Sequence, residues 1–201
     1  MVRVLGLTIA LLIAASPSVA RAGDGLEFVP FVGHRQGGSI LNPISLVPRA
    51  LDERQNWGFS LTSTSTDSTR YEFLYAHQGT RLTDTADPRD AFDLDVHYLH
   101  LGGTVDLPHE ELVPFFSGGI DMAHMSPGRP GYGEETRLSL SLGGGLKWNP
   151  SDRFGIRFEL RGYGTLANSG EGLLCDSGCG GELQGYLFPQ FETNLGLIYR
   201  F

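Results

Sequence analysis

The sequence predicts an all-β fold, namely an eight-stranded antiparallel up-and-down transmembrane β-barrel. Apolar and polar residues alternate along about eight segments of roughly ten residues, the strand length of such barrels. Long and short connections alternate between these segments. The first residues also have the pattern of a secretory signal peptide, which places the rest of the chain outside the cytoplasm.

Each segment alternates with a period of two, as expected when successive side chains of a strand point to opposite faces. The predicted strands are Leu26–His34, Asn56–Ser63, Arg70–Gln78, Phe92–Val105, Leu112–Met125, Thr136–Trp148, Arg153–Thr165 and 186–201. Long connections follow the first, third, fifth and seventh strands, and short turns follow the other three. Outer-membrane barrels have this arrangement, with short periplasmic turns and longer external loops.

The fourth predicted strand has an ambiguous phase. Leu94 and Val96 alternate in its first half, whereas Leu99, Leu101 and Val105 alternate on the other face in its second half. A β-bulge adds one residue and shifts the phase, so we expect a bulge near residue 98.

The last strand carries a row of apolar residues on one face, formed by Leu195, Leu197, Tyr199 and Phe201. A lipid-facing strand with an aromatic rim explains this row. The ending resembles the C-terminal signal of bacterial outer-membrane barrels, which the barrel assembly machinery reads. We therefore expect this machinery as a transient partner and the outer membrane as the destination.

The other end of the chain predicts export. Residues 1–22 combine a positive start, an apolar run and the sequence Ala-Arg-Ala, after which we expect cleavage. The apolar run is shorter than the roughly 20 residues of a membrane-spanning helix. Residues 23–201 then form one barrel domain, and the absence of a nearby cysteine argues against a lipoprotein anchor.

Composition agrees with this class. Removing Arg3 and Arg21 with the signal leaves 13 Lys and Arg against 23 Asp and Glu, a net charge of −10. This acidity argues against nucleic acid as a partner. The mean hydropathy of −0.11 is low, as expected when only every second strand residue faces lipid.

Several segments resemble a group of small proteobacterial outer-membrane barrels of the OmpA/OmpX type. They are 30–35 with Glu27, 37–39, 98–104, 143–147 and 157–163. The resemblance covers most of the mature chain and implies the eight-stranded fold. It implies no activity, no cofactor and no catalytic residue, because the group has no assigned activity.

Charged residues on the inward faces form the main candidate site. They are Glu27, Glu72, Arg137, Lys147, Arg157, Glu159, Arg161 and Arg200. The interior of an eight-stranded barrel is only wide enough for side chains, and buried charges need partners. We therefore expect a salt-bridged plug in which Glu72 or Glu27 pairs with Arg157 and Arg161; a proton or ion path is the alternative.

Other candidates are weaker. The acids Asp84, Asp87, Asp90, Asp93 and Asp95 form an exposed acidic stretch, which could also hold calcium or bridge to lipopolysaccharide. His34 with Ser39, His124, and Ser169 with Glu171 lie near the predicted external ends, but no catalytic motif connects them. A soluble lipocalin-type barrel has the same strand count, but it leaves the terminal aromatic unexplained.

These observations predict a monomeric, porin-like barrel of the Gram-negative envelope, with a structural role or a role in interactions of its external loops. The expected surroundings are outer-membrane lipid and lipopolysaccharide. We expect no metal and no enzymatic activity. Two alternatives stay open, a lipid A-modifying enzyme on the same fold and a narrow channel.

Cys175 and Cys179 lie in the last long connection, within Cys-Asp-Ser-Gly-Cys-Gly-Gly. An oxidising periplasm favours a disulfide between them, while a thiolate metal site would lack nearby histidines. We predict that reduction exposes two thiols and leaves the barrel folded, because the bridge closes only a small loop. Thiol alkylation of the native protein, read by mass, tests this; two reactive thiols before reduction would contradict it.

Overall fold

The computed structural model describes residues 25–41, 48–64, 68–84, 91–107, 111–130, 132–167 and 186–201. The predicted signal peptide, both cysteines, Ser169 and Glu171 lie outside these residues. No helix in the described ranges is long and apolar enough to cross a membrane.

Eight long strands form the wall of the barrel. They are β1 (Leu26–Gln36), β4 (Arg54–Thr64), β5 (Thr69–Asp84), β6 (Ala91–Asp106), β7 (Leu112–Pro127), β8 (Glu135–Trp148), β9 (Phe154–Ala167) and β10 (Tyr186–Arg200). Each pairs antiparallel with its neighbour along the wall, and β1 pairs with β10 to close the sheet. The predicted fold class is confirmed.

Two short strands lie in the first long connection, where the sequence predicted none. β2 (Ser39–Leu41) pairs with β3 (Pro48–Leu51), and β3 pairs with the outer end of β5. Gly37 and Gly38 turn the chain from β1 into β2 with φ angles of 84° and 98°, which side chains other than glycine rarely adopt. The β2–β3 hairpin therefore extends the barrel wall beyond the eight main strands.

The strand register fixes the tilt of the wall. From Leu146 on β8, the cross-strand partners lead in turn through β9, β10, β1, β4, β5, β6 and β7 and return to β8 at Thr136. One circuit of the barrel therefore ends ten residues along β8 from the residue where it began. Such a stagger requires strands tilted by about 35–45° from the barrel axis.

The outer surface of the wall is apolar. Phe116, Ile120 and Met122 on β7 are exposed, and the outward leucines of β8 and β9 are equally so. On β9, Phe158 is 41% exposed while Arg157 is 3% exposed. The predicted outward face of this strand is therefore confirmed, and so is the register of the second half of the chain.

The predicted bulge in the fourth strand is wrong. β6 keeps one register with both β5 and β7, and its even-numbered side chains point inward from Phe92 through Thr104. The inward and outward alternation of β6 is therefore constant, and only the polarity of the lumen and of the exterior changes along the strand. Near the long loops the lumen is apolar and the outside is polar, so Leu94 and Val96 are buried inside while Leu99 and Leu101 face outward.

The terminal strand occupies a closing position. Leu195, Leu197, Tyr199 and Phe201 are exposed on the outer face of the barrel, and the Tyr199 ring lies 4.8 Å from that of Phe201. β10 joins β9 to β1 and so completes the ladder. Recognition of these residues by the assembly machinery stays a prediction.

Two neighbouring glycines of β8 differ in how closely other atoms approach them. A Cβ on Gly145 would collide with the carbonyl oxygen of Phe158, whereas a Cβ on Gly144 would lie 3.2 Å from its nearest atom. We predict that Gly145→Ala destabilises the barrel by about 1–3 kcal/mol, the usual cost of overpacking. Gly144→Ala is the matched control and should cost less, because its closest contact needs a shift of only a few tenths of an ångström. Urea unfolding followed by heat-modifiable gel migration measures both; equal midpoints would contradict the prediction.

Candidate functional site in the barrel lumen

The lumen is filled by three levels of polar side chains. At the end with the short turns, Glu27 is contacted by Arg200 at 2.8 Å, Lys147 at 3.5 Å and Arg70 at 3.7 Å. Asp106 also binds Lys147, at 2.8 Å, and Arg70, at 3.1 Å. Five charged groups therefore close this mouth.

The middle level is a ring of four charges, which we call the central ring: Glu72, Arg157, Glu159 and Arg161. Glu72 on β5 lies 2.8 Å from Arg157 and 2.7 Å from Arg161, both on the opposite wall. Glu159 lies 3.0 Å and 2.8 Å from the same two arginines. Each guanidinium therefore contacts both carboxylates, and the pairing that the sequence predicted for Glu72 is present.

The central ring is buried. Its four side chains are at most 4% exposed, and the guanidinium of Arg157 also lies 4.4 Å from the ring centre of Phe115. Charges this deep are costly unless they are mutually paired. The ring thus joins β5 to β9 across the lumen.

His100 lies beside the central ring, where the sequence analysis placed no site. Its Nδ1 is 2.8 Å from Asp121 and 3.1 Å from the Ser141 hydroxyl. The three residue types are those of a catalytic triad, but a triad needs its acid and its nucleophile on opposite ring nitrogens. Here both contact Nδ1, and His100 is fully buried. The arrangement cannot activate a nucleophile for an external substrate.

The third level lies toward the long loops. Arg35 donates from Nε to Glu192 at 2.9 Å, and its guanidinium lies beside the paired rings of Tyr98 and Tyr163, 4.7 Å and 5.2 Å from their centres. The Tyr163 hydroxyl donates to Glu192 at 3.1 Å. This pair was missed because the predicted first strand ended at His34, although the inward phase of that strand continues to Arg35.

Above this level the lumen is apolar. The buried apolar side chains at this end include Leu51, Leu82, Phe92, Leu94, Val96, Met125 and Phe188. Leu51 comes from β3, and Tyr132 packs on Phe92 with ring centres 4.7 Å apart. The external mouth is therefore closed by hydrophobic packing.

The predicted inward charges do not form one network. Glu27 and Lys147 lie at the short-turn mouth with Arg200, whereas Arg137 lies near the long loops and contacts Glu135. Only Glu72, Arg157, Glu159 and Arg161 meet in the middle of the lumen. Because the three groups lie at different heights, each is closed by its own partners.

The weaker candidates lie apart from one another. His34 contacts Glu53 at 3.7 Å, and His124 contacts the hydroxyl of Thr136. Asp93 contacts Arg81 at 3.3 Å and Asp95 contacts His77 at 3.2 Å on the outer surface. No three His, Cys, Asp or Glu side chains of the described residues form a ready metal site.

Solved structures identify the fold. No protein-family model matches the sequence, and no curated protein matches it. Neisserial surface protein A (NspA) matches with a TM-score of 0.61 at 13% identity, over 88% of this chain and 97% of that one. The outer membrane protein AlkL matches with a TM-score of 0.60 at 12% identity, over 90% and 92%. OprG from Pseudomonas aeruginosa matches with a TM-score of 0.59 at 10% identity, over 89% and 97%.

The chain is an eight-stranded outer-membrane β-barrel. It has the OmpA/OmpX-type architecture, and its exposed apolar wall places it in the outer membrane. At these identities the likeness concerns the fold alone. The short turns are periplasmic and the β2–β3 hairpin is external, as in barrels of this kind.

The central ring generates a stability prediction. Glu72→Gln should destabilise the barrel by about 3–5 kcal/mol, because it leaves two buried arginines with one carboxylate. Asp93→Asn is the control: its partner Arg81 is exposed, and exposed pairs contribute at most about 1 kcal/mol. Unfolding in urea, monitored by tryptophan fluorescence, measures both free energies. Equal losses in the two variants would show that the ring is not a buried pair.

Proposed function

We propose that the barrel is a closed anchor which holds an external, sheet-built surface at the outer membrane. The observation that carries this proposal is the filled lumen, in which salt bridges close the short-turn mouth and the central ring, and hydrophobic packing closes the external mouth. A barrel of this kind contributes through its wall and its external end, either to envelope structure or to interactions outside the cell. The surrounding partners would be outer-membrane lipid and lipopolysaccharide, and the barrel would act as a monomer.

The length of the strands at the external end supports a role in interactions outside the cell. A membrane-spanning strand needs about 9–11 residues, whereas β5 and β6 contain 16 residues each. Their outer ends therefore project beyond the hydrocarbon, and the β2–β3 hairpin pairs with β5 there. This gives the protein an external surface built of paired strands.

A narrow channel is the less favoured alternative. The space beside Arg157 is a cavity of ≈ 10 Å³, lined by Ser60 and Asn194 among others, and it is no larger than one water molecule. A continuous water path would require the central ring to separate, and breaking buried pairs costs several kcal/mol.

An enzyme is also less favoured. The one Ser, His and Asp group found in the described lumen is buried and has the wrong geometry, and His34 and His124 contact neither a serine nor each other. Mass spectrometry of lipid A from cells with and without the protein is a direct test of that alternative; a changed profile would favour the enzyme.

We predict that the purified barrel gives no single-channel currents in planar bilayers, because its lumen is closed at three levels. A general porin in the same bilayer is the control for insertion and detection. Stepwise currents from the barrel that scale with salt concentration would contradict the closed-anchor proposal.

The external surface can be tested separately. A variant in which residues 39–48 are replaced by a short Gly-Ser linker keeps Leu51 and all eight wall strands. If the external surface matters, this variant should assemble normally, shown by heat-modifiable migration, yet fail to restore the phenotype of a deletion strain. Full restoration would assign the role to the barrel wall instead.

A further inference from the structure

Three histidines form a row on the outer wall, which we call the histidine row: His77 on β5, His97 on β6 and His124 on β7. His77 is the cross-strand partner of His97, and His97 is the partner of His124. The ring centres of the first two are 4.6 Å apart, and those of the second two are 6.1 Å apart. The lumen network does not use these side chains.

The row lies where the apolar wall ends. On β6, the outward residue next to His97 on the membrane side is Leu99, and the next outward residue toward the loops is the exposed Asp95. Arg81 and Asp93 follow at the next level, also exposed. A dissolved ion therefore reaches the row from the external water without entering the hydrocarbon.

Neighbouring groups orient the first two rings. Nε2 of His77 lies 3.2 Å from a carboxylate oxygen of Asp95, and Nδ1 of His97 lies 2.9 Å from the Tyr75 hydroxyl. The other nitrogen of His77, Nδ1, is buried in this ring position and has no hydrogen-bond partner among the described residues. Imidazoles that ligate metals are commonly held in this way, with one nitrogen fixed by a carboxylate or other polar group and the second nitrogen directed to the ion.

We propose that His77 and His97 form a two-histidine site for a divalent transition-metal ion of the Zn²⁺, Cu²⁺ or Ni²⁺ class. With metal–nitrogen distances of about 2.0–2.1 Å, two imidazoles on one ion have their ring centres roughly 4.5–6.5 Å apart. The observed separation of 4.6 Å lies in this range. Rotation of the two partly exposed rings then brings one nitrogen of each to a shared ion, and water completes the coordination.

Local charge favours a cation over an anion. Asp93 and Asp95 carry two negative charges near the row, and Arg81 carries one positive charge. With neutral histidines this leaves the patch at −1, which repels a phosphate and attracts a metal ion. Two imidazolium ions at 4.6 Å would also repel each other, whereas neutral imidazoles are the form that binds metals.

The site is limited to the pair. No group of three ligand side chains among the described residues is already arranged around one point, and His124 is held by Thr136 through its Nδ1 at 2.8 Å. His124 is the third member of the row and serves as an internal comparison for the other two.

The chain contains a built-in reporter of the site. It has two tryptophans, and the ring of Trp57 lies 5.4 Å from that of His77. A tagless Trp148→Phe protein with Cys175→Ser and Cys179→Ser keeps only Trp57 and removes thiol ligands. Cu²⁺ quenches indole fluorescence at short range, so titration with CuCl₂ reads occupancy directly.

In this background we expect saturable quenching that Zn²⁺ reverses by competition. His77→Gln and His97→Gln should each weaken Cu²⁺ binding by roughly tenfold or more, because each removes one of two ligands. His34→Gln is the matched control, since His34 is exposed and pairs with Glu53 away from the row, and it should leave the titration unchanged. His124→Gln should have a smaller effect than the first two.

Two results would overturn the proposal. One is quenching that rises without saturation and is the same in all variants. The other is a loss in His34→Gln equal to that in His77→Gln. Electron paramagnetic resonance of the Cu²⁺ complex gives a second readout: two equatorial nitrogens in the parent protein and one after His97→Gln support the pair, and one nitrogen in the parent contradicts it.

Discussion

The ring of two carboxylates and two guanidiniums in the middle of the lumen is the contact on which the rest of the barrel depends. The backbone ladder joins only neighbouring strands, whereas Glu72 reaches from β5 to Arg157 and Arg161 on β9. These contacts also hold the register. A slip of one residue in β9 would turn both arginines toward lipid, at about 2–4 kcal/mol for each, and would leave Glu72 without a partner.

This constraint explains how much the sequence could predict. Alternation along β9 separates Arg157, Glu159 and Arg161 from Phe158, and only one of the two sets can face lipid. The fold and most inward residues follow from that rule. It failed on β6 because apolar residues were taken to mark the outer face throughout, whereas Leu94 and Val96 lie above the membrane belt, where the apolar side of the strand is the lumen.

Partner choice could not be read from the sequence in the same way. Asp106 and Arg35 lie one residue beyond the predicted strand ends. Which inward charges meet depends on the ten-residue stagger of the closed wall. His100 and Asp121 illustrate this: their strands are neighbours, but only the register shows that they are direct cross-strand partners. The period of two along a strand predicts whether a residue faces inward or outward. Its position along the barrel axis follows only from the way the barrel closes.

Closure of the lumen also determines where function can lie. With both mouths and the middle filled by described side chains, the inner surface supports the wall, and the outer wall and the external ends of the strands are the surfaces that the described residues present to other molecules. Glu72 and His77 lie on the same strand, β5, so the register that holds Glu72 opposite β9 in the lumen also places His77 beside His97 on the outer wall. Side chains that are far apart in the sequence therefore become neighbours on the outer wall by the same geometry that pairs the buried charges.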